Sequence, residues 1–346
     1  MQPHRGVTFN ALAALYYPPS FLQSIFMAEH IELDGIIPES CHGLRLDQAL
    51  AQLFPEFSRG QLSKWVKAGD VKVNDKPLRP RDAVRTGDSV VIHAELIVQD
   101  ESWHAEKIAL DVIYEDDDVL ILNKPAGMVV HPGAGNHDGT LVNALLSHAP
   151  SLTHVPRAGI VHRIDKMTTG LLMVAKTLPA HNSLISQLQD RSVLREYQAV
   201  VSGVLTAGGT VDEPIGRHHI DRKRMTVTDS GKPAVTHYRV AERFRAHTHI
   251  RCKLETGRTH QIRVHMAHIR HALVGDPVYG GRFKMPKGMS ETAREGLRNF
   301  RRQALHAGLL GFEHPTSGEA VSWEVPMPQD MQDLISLLHD DTLLTD

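Results

Sequence analysis

The stretch from Gly159 to Gly170 reads GIVHRIDKMTTG and holds the densest group of polar side chains in the chain. Asp165 stands there between Arg163 and Lys166, with apolar segments on either side. Cations close to a carboxylate favour its charged form. An ionised, positioned carboxylate can attack a sugar carbon or stabilise positive charge on it. The same residue types equally make a structural ion pair at a strand end. A second constellation, ETGRTHQIRVH from Glu255 to His265, has Gly257 to let backbone approach closely, and Arg258 and Arg263, whose guanidinium forks suit a phosphate or a carboxylate. A third, REYQA from Arg195 to Ala199, places Tyr197 on an extended segment, where a lone ring usually packs in the core.

These groups need elements to hold them. Val119 to Leu122 and Leu171 to Ala175 are apolar runs of strand length, and Asn123 to Gly127 (NKPAG) stops the first. His181 to Leu188 reads as helix, Glu196 to Val201 and His247 to Leu254 as strands. Thr259 is placed to cap a short helix with Ile262, Met266 and Ile269 on one face. Strands interleaved with few helices and many turns predict an α+β fold around a mixed, mainly antiparallel sheet. Upstream lies a smaller unit. Leu46, Leu50 and Leu53 fall at helical spacing, and Ser58 is a good cap for a second helix that buries Leu62, Trp65 and Val66 and ends at Gly69. Val71 and Val73 alternate with lysines, Asn74-Asp75 supplies a turn, and Gly87-Asp88 leads into the strand Val90 to His93.

The expected boundaries are a flexible extension over 1–40 (Met27 offering a second possible start), the small unit over 41–95, an acidic linker over 96–112, the larger domain over 113–330 and an acidic tail over 331–346. A length of 346 residues suits two domains, and 41% hydrophobic residues suffice for packed cores. No run approaches the roughly 18 apolar residues of a membrane span. Cys41 and Cys252 are too few for a disulfide framework and form no C-x-x-C pair, which points to a reducing cytoplasm. No G-x-G-x-x-G or P-loop implies a nucleotide. His260, His265, His268 and His271 crowd one segment without a metal-ligand spacing, so neither cofactor nor metal is expected.

The net charge of −2 hides a segregation. Ser58 to Arg85 has eight Lys/Arg against three Asp/Glu, and Arg217 to Arg270 has thirteen against four. Glu95 to Asp118 holds nine acids and one lysine, and Glu324 to Asp346 six acids and no Lys/Arg. Basic blocks within folded sequence can form a surface for nucleic acid, and they can also be two ordinary solvated faces.

Taken together, the motifs resemble the RluA family of pseudouridine synthases. HRIDKMTTGLLMVAK is similar to that family's catalytic-aspartate motif, REYQAVV to its tyrosine motif and LETGRTHQIRVHMAHI to its arginine motif, with NKPAGMVVHPG and GDPVYGG in the expected order. VDEPIGRH, GKPAVTHYRV and FRRQALHA resemble the members that act on large-subunit ribosomal RNA. Leu44 to Ala94, with RLDQAL, SRGQLSKWVKAG and VKVNDKPL, resembles the S4 RNA-binding domain. Ile164 and Met167 depart from the commoner leucine and aspartate of the first motif without removing a catalytic group.

The resemblance implies a synthase domain preceded by a small S4-like α/β domain. It also implies a monomer acting on 23S rRNA without cofactor or membrane. Asp165 is then the nucleophile, Tyr197 the ring that packs on uracil and Arg263 the cation paired with the aspartate. Arg163 enters the space left by the flipped base. Lys166 and Arg258, with Arg59, Lys64, Lys67 and Lys72 of the small unit, meet RNA. Two other classes remain open: an RNA-binding assembly factor whose catalysis is secondary, and a nucleoside glycosidase, which would need a second carboxylate to activate water.

Overall fold

Residues in the Val71–Val73 strand alternate buried, exposed, buried, which is the period-two pattern of a sheet with one wet face. In the computed structural model, which describes residues 28–55, 57, 59–97, 103–133, 136–221, 224–281 and 285–344, this strand lies in the smaller of two units. That unit contains β1 (Ala28–Ile36), α1 (Leu46–Leu53), α2 (Arg59–Ala68), β2 (Val71–Val73), β3 (Lys76–Pro77) and β4 (Ser89–Ile97). Its sheet runs β1-β4-β2-β3 with every pair antiparallel. Leu46, Leu50, Leu62, Trp65, Val71, Val90 and Ile92 close the core between the helices and the sheet. Gly69 ends α2 at φ 90°. Asn74 and Asp75, at φ 49° and 62°, make the two-residue hairpin turn whose twist matches that of its strands. The cap assigned to Ser58 and the extension assigned to residues 1–27 lie outside the described residues.

One boundary needs correction here. Residues 28–36 are not part of an extension, because β1 pairs with β4 along its whole length, Ala28 opposite Ile97 and Ile36 opposite Ser89. Its exposed partners hide the signal: Glu32, Asp34 and Ile36 alternate with half-buried Ile31 and Leu33, so the apolar stripe is short and weak.

The larger unit begins at Trp103. In chain order it contains β5 (Val112–Glu115), β6 (Val119–Lys124), α3 (Leu141–His148), β7 (Thr169–Ala175), α4 (Leu178–Gln189), β8 (Leu194–Ser202), β9 (Gly209–Asp212), β10 (Ile215–Arg217) and β11 (Met225–Val227). There follow β12 (Val235–Arg243), β13 (His247–Leu254), α5 (Gln261–His268), α6 (Glu291–Asn299), β14 (Leu305–Glu313), β15 (Ala320–Glu324) and α7 (Gln329–Leu343). The main sheet runs β5-β6-β7-β14-β8-β13-β12-β9, with β15 beside β14. Only the β7–β14 pair is parallel among these strands, so the sheet is mixed and mainly antiparallel as expected. All seven residues of β7 are buried, which is the mark of a central strand covered on both faces. On one face α3 and the loops pack through Leu122, Leu145, Leu172, Val174, Tyr197 and Cys252. On the other, α4 packs through Ala180 and Leu184 on Ile121, Met173 and Leu310, and α6 and α7 pack on Val200 and Ala304.

Three further expectations change. The span 96–112 is not a free linker. Trp103 and Leu110 pack on the main core, the Asn143 side chain donates to the His104 carbonyl at 2.8 Å, and the Glu106 N–H donates to the Asn143 carbonyl at 2.9 Å. The span 331–346 is not a tail over its described part. It forms most of α7, which buries Met331, Leu334 and Leu338 at spacings of three and four residues. Thr259 is not the cap of α5; His260 takes that position, in the left-handed region at φ 58° and without a side-chain cap bond.

Candidate active site

Asp165 sits in the loop that feeds β7, and four other segments hold that loop. The Lys124 ammonium, at the end of β6, is 1% exposed and donates to three carbonyls, those of Pro125, Met128 and Lys166, at 2.7, 3.1 and 3.0 Å. Burial pulls its pKa down to about 8 against the raising effect of Asp165, with Arg302 adding to the fall. The Gly127 N–H also donates to the Lys166 carbonyl. Arg302 donates to the Met167 carbonyl at 3.4 Å while its Nε and Nη2 grip Asp330, in the first turn of α7, at 2.6 and 2.7 Å. Gln303 donates to the Thr168 hydroxyl at 3.1 Å, and Met173 N–H donates to His162 Nε2 at 3.0 Å. The helix first read as an acidic tail therefore braces the Asp165 loop through one arginine. Gly170 closes the loop at φ +110°, where a Cβ would lie 2.2 Å from the Ala307 carbonyl oxygen, so β7 can approach β14 only without a side chain.

Arg263 comes from the first turn of α5, and its guanidinium spans two carboxylates. Nη1 donates to Asp165 Oδ2 at 2.9 Å, while Nε and Nη2 donate to Asp276 at 2.7 and 2.9 Å. The Asp276 side chain is fully buried, Arg263 is 5% exposed and Asp165 15%. Burial disfavours the Arg263 charge, but Asp276 and then Asp165 more than reverse this and raise its pKa. Burial pushes Asp276 up, and Arg263 with the N–H groups of Tyr279 and Val278 pulls it below the usual carboxylate range. The guanidinium also lies 5.0 Å from the centre of the Tyr279 ring.

His260 completes this side. Tyr279 Oη accepts from the Met225 N–H at 2.9 Å and also shares a hydrogen bond with His260 Nδ1, 2.7 Å away. The other ring nitrogen, Nε2, faces Asp165 Oδ1 at 3.9 Å. Burial lowers the His260 pKa, and the nearby Asp165 opposes it.

Tyr197, on β8, is 7% exposed and sits in the same cluster as Ile164, Leu254 and Ile262. Burial raises its phenol pKa, Arg195 opposes this, and the Asp165 charge is near enough to add to the rise. A β-bulge at Gly308 in β14 falls beside it, between the pairs Ala307–Tyr197 and Leu309–Glu196.

The structure thus brings Asp165, Tyr197 and Arg263 together. It does not hold Asp165 with its chain neighbours. Arg163 and Lys166 point outward and are exposed, and the cation in contact with the carboxylate comes from 98 residues away. Arg163 lies near His131, whose pKa burial and then Arg157 and Arg163 lower to about 4. Arg258 is half-buried and donates through Nε to the Pro233 carbonyl at 3.0 Å. In the smaller unit Arg59 joins Arg45 on Asp47, each at 2.9 Å, while Lys64, Lys67 and Lys72 are exposed. Gln261 and His265 are framework groups: Gln261 ties α5 to Val235, Thr236 and Thr256, and His265 lies between the Thr236 hydroxyl and the Glu213 carbonyl.

Lys124, Asp276, Tyr279, Arg302 and Gln303 were assigned no role from the sequence. All lie inside segments singled out there as motifs, NKPAG, GDPVYGG and FRRQALHA, so the signal was present without its geometry.

A family model described as RNA pseudouridylate synthase matches residues 118–268, and one for the S4 domain matches residues 44–90. The ribosomal large subunit pseudouridine synthase D of Pseudomonas aeruginosa is 57% identical over 315 residues, 91% of this chain and 98% of that protein. The protein of the same description from Escherichia coli K12 is 54% identical over 316 residues, 91% of this chain and 97% of that one. The solved structure of human RNA pseudouridylate synthase domain containing 1 superposes with a TM-score of 0.52 at 26% identity, covering 67% of this chain and 89% of that one.

Proposed function

The chain belongs to the RNA pseudouridylate synthase family, and from that membership we propose that it converts uridines of large-subunit ribosomal RNA to pseudouridine, with Asp165, Tyr197 and Arg263 as the reacting group's immediate surroundings. The observation that carries the site assignment is the Asp165 carboxylate held 2.9 Å from a buried guanidinium that is itself clamped from behind by Asp276.

The reaction is an isomerisation. The N1–C1′ bond breaks with its electron pair going to the uracil, the base turns, C5 bonds to C1′, the C5 proton leaves and N1 gains one. Asp165 attacks or stabilises C1′ while it is electron-poor. Arg263 holds that carboxylate at one orientation, so the reacting atoms meet without an orientational search. Tyr197 offers the detached base a ring to lie against. Burial raises its pKa, so the phenol stays neutral beside the base. The target must first leave its stack, at about a few kcal/mol. Arg163, exposed beside the Asp165 loop, fills the vacated space, and Lys166 and Arg258 with Lys64, Lys67, Lys72 and the outward face of Arg59 hold phosphates.

Lys124 is too enclosed by carbonyls to activate water, and the neighbouring Asp276 carboxylate is fully buried and taken up by Arg263, which supports isomerisation over hydrolysis. The high identity to named synthases favours the enzyme over an assembly factor with secondary catalysis. The reading extends to a monomer working in the cytoplasm. No described helix is long and apolar enough to cross a membrane.

The test is a site-resolved pseudouridine map of 23S rRNA with and without the protein, repeated with Asp165→Asn. Defined positions are expected to vanish in both the deletion and the variant while the variant still binds RNA. An unchanged map removes the proposal.

A further inference from the structure

The strands that carry Tyr197 have a second face, which the reaction does not use. Along β8 and β13, Tyr197, Cys252 and Leu254 point to the catalytic side. Glu196, Arg251 and Lys253 alternate with them and so project the other way. On the neighbouring β12, Arg239 lies directly opposite Arg251 and His237 directly opposite Lys253. Here neither α4 nor α6 and α7 supply lining residues, and a groove of about 1300 Å³ remains between the connection into β8 and the β9 edge.

Five cations line this groove, Arg191, Arg239, Arg243, Arg251 and Lys253, against two carboxylates, Glu196 and Glu255. Both carboxylates are occupied: Glu255 by Arg191 at 3.0 Å and His237 at 2.8 Å, and Glu196 by Arg251 at 3.8 Å. Arg243 donates only to the neutral carbonyls of Leu205 and Thr206, so its charge is not cancelled. Arg239 and Lys253 meet no carboxylate among the described residues. Like charges directly opposite on adjacent strands are destabilising, and the Arg239–Arg251 pair is offset only in part, by Glu196 at 3.8 Å from Arg251. Two planar guanidinium forks side by side, with a lysine one pair along, match successive phosphates on a nucleic-acid backbone.

We propose that this groove, on the sheet face opposite the catalytic aspartate, is a second RNA-binding site that takes the phosphate backbone of a distant segment of the same large RNA. The inference rests on the proposed RNA substrate but assigns a separate surface. It explains where part of the basic block Arg217 to Arg270 goes. Arg258 and Arg263 serve the catalytic side, while Arg239, Arg251 and Lys253 turn away from it.

The experiment compares wild type with an Arg239→Ala/Arg251→Ala double variant. Equilibrium binding is measured with a full-length 23S rRNA transcript and with a short hairpin carrying a target uridine, from about 50 to 200 mM salt. For the long RNA the variant is expected to lose about 2 from the slope of log K against log salt, since each phosphate contact contributes about 0.9. Its affinity falls by about tenfold or more at the low-salt end, and its affinity for the hairpin and its turnover of the hairpin are unchanged. An unchanged long-RNA slope overturns the proposal. So does competition by polyglutamate that the double variant abolishes while its RNA slope stays at the wild-type value, because the groove then serves an acidic protein. Should the double variant fail to fold, Lys253→Ala carries the same readout at about half the slope change. Binding is read without turnover, so an inactive wild type would refute the proposed function and leave this test intact.

Discussion

Neutralising Asp276 separates a brace from a reacting group. Asp276→Asn keeps the shape and one oxygen. Oδ1 already accepts from Arg263 Nη2 and from the Val278 and Tyr279 N–H groups, and the amide oxygen can keep those bonds. The amide nitrogen must then stand where Oδ2 accepted from Arg263 Nε at 2.7 Å, donor against donor. The guanidinium is 5% exposed, so water does not replace the lost bond, and removing one charge from a buried pair costs about 3 kcal/mol. Asp165 is then the one full negative charge left in contact with Arg263, and the guanidinium swings toward it and drags the carboxylate from its position. If the whole cost appears in the transition state, kcat falls about 100-fold. In a unit of this size the same energy lowers Tm by about 6–12 °C. The assay follows release of tritium from C5-labelled uridine in rRNA, with thermal melting alongside. KM should stay within about threefold, because Asp276 lies behind the arginine and away from substrate. A variant that melts early but keeps kcat within about threefold would show that the clamp serves folding alone, and the positioning argument would fail.

Gly170→Ala should prevent folding or cost well over about 3 kcal/mol, since φ +110° excludes a side chain and the methyl would strike the Ala307 carbonyl; a melting temperature equal to wild type would contradict the close approach. Asp330→Ala should slow pseudouridine formation about tenfold or more by freeing Arg302 from the Met167 carbonyl, a charged-bond loss of about 2 kcal/mol; activity unchanged in single-turnover assays would remove α7 from the positioning machinery. Stability should fall in acid. Burial depresses His131, His162 and His247 to about 4, 3 and 4, so below their ordinary value of 6.5 the unfolded chain binds more protons than the folded one. Their contribution is complete above about 6.5 and is lost toward pH 4, at about 1.4 kcal/mol per unit for each group, and His162→Gln should make that slope shallower. Denaturant unfolding that is flat from about pH 7 to 5 would refute this.

Much of the local structure was legible from neighbours alone. The turn at Asn74-Asp75, the end of α2 at Gly69 and the buried run of β7 follow from conformational preference and apolar pattern, which need only a few residues of context. Asp165, Tyr197 and Arg263 were legible as types in motifs. What the sequence by itself could not determine is which charge meets which. Arg163 and Lys166 adjoin Asp165 in the chain yet face outward, because the loop enters a buried strand and of these three charged residues turns only the aspartate inward. Arg263 reaches it because sheet order and the first turn of α5 place it there. The clamp by Asp276, the carbonyl cage of Lys124 and the brace from α7 through Arg302 likewise join residues far apart in sequence. Charge counts even misled at the C-terminus, where acids on the wet face of α7 masked the spacing of Met331, Leu334 and Leu338. Backbone preference acts over a turn or two of chain, whereas ion pairs and packing act through space, so the partners were settled only when the strands took their order.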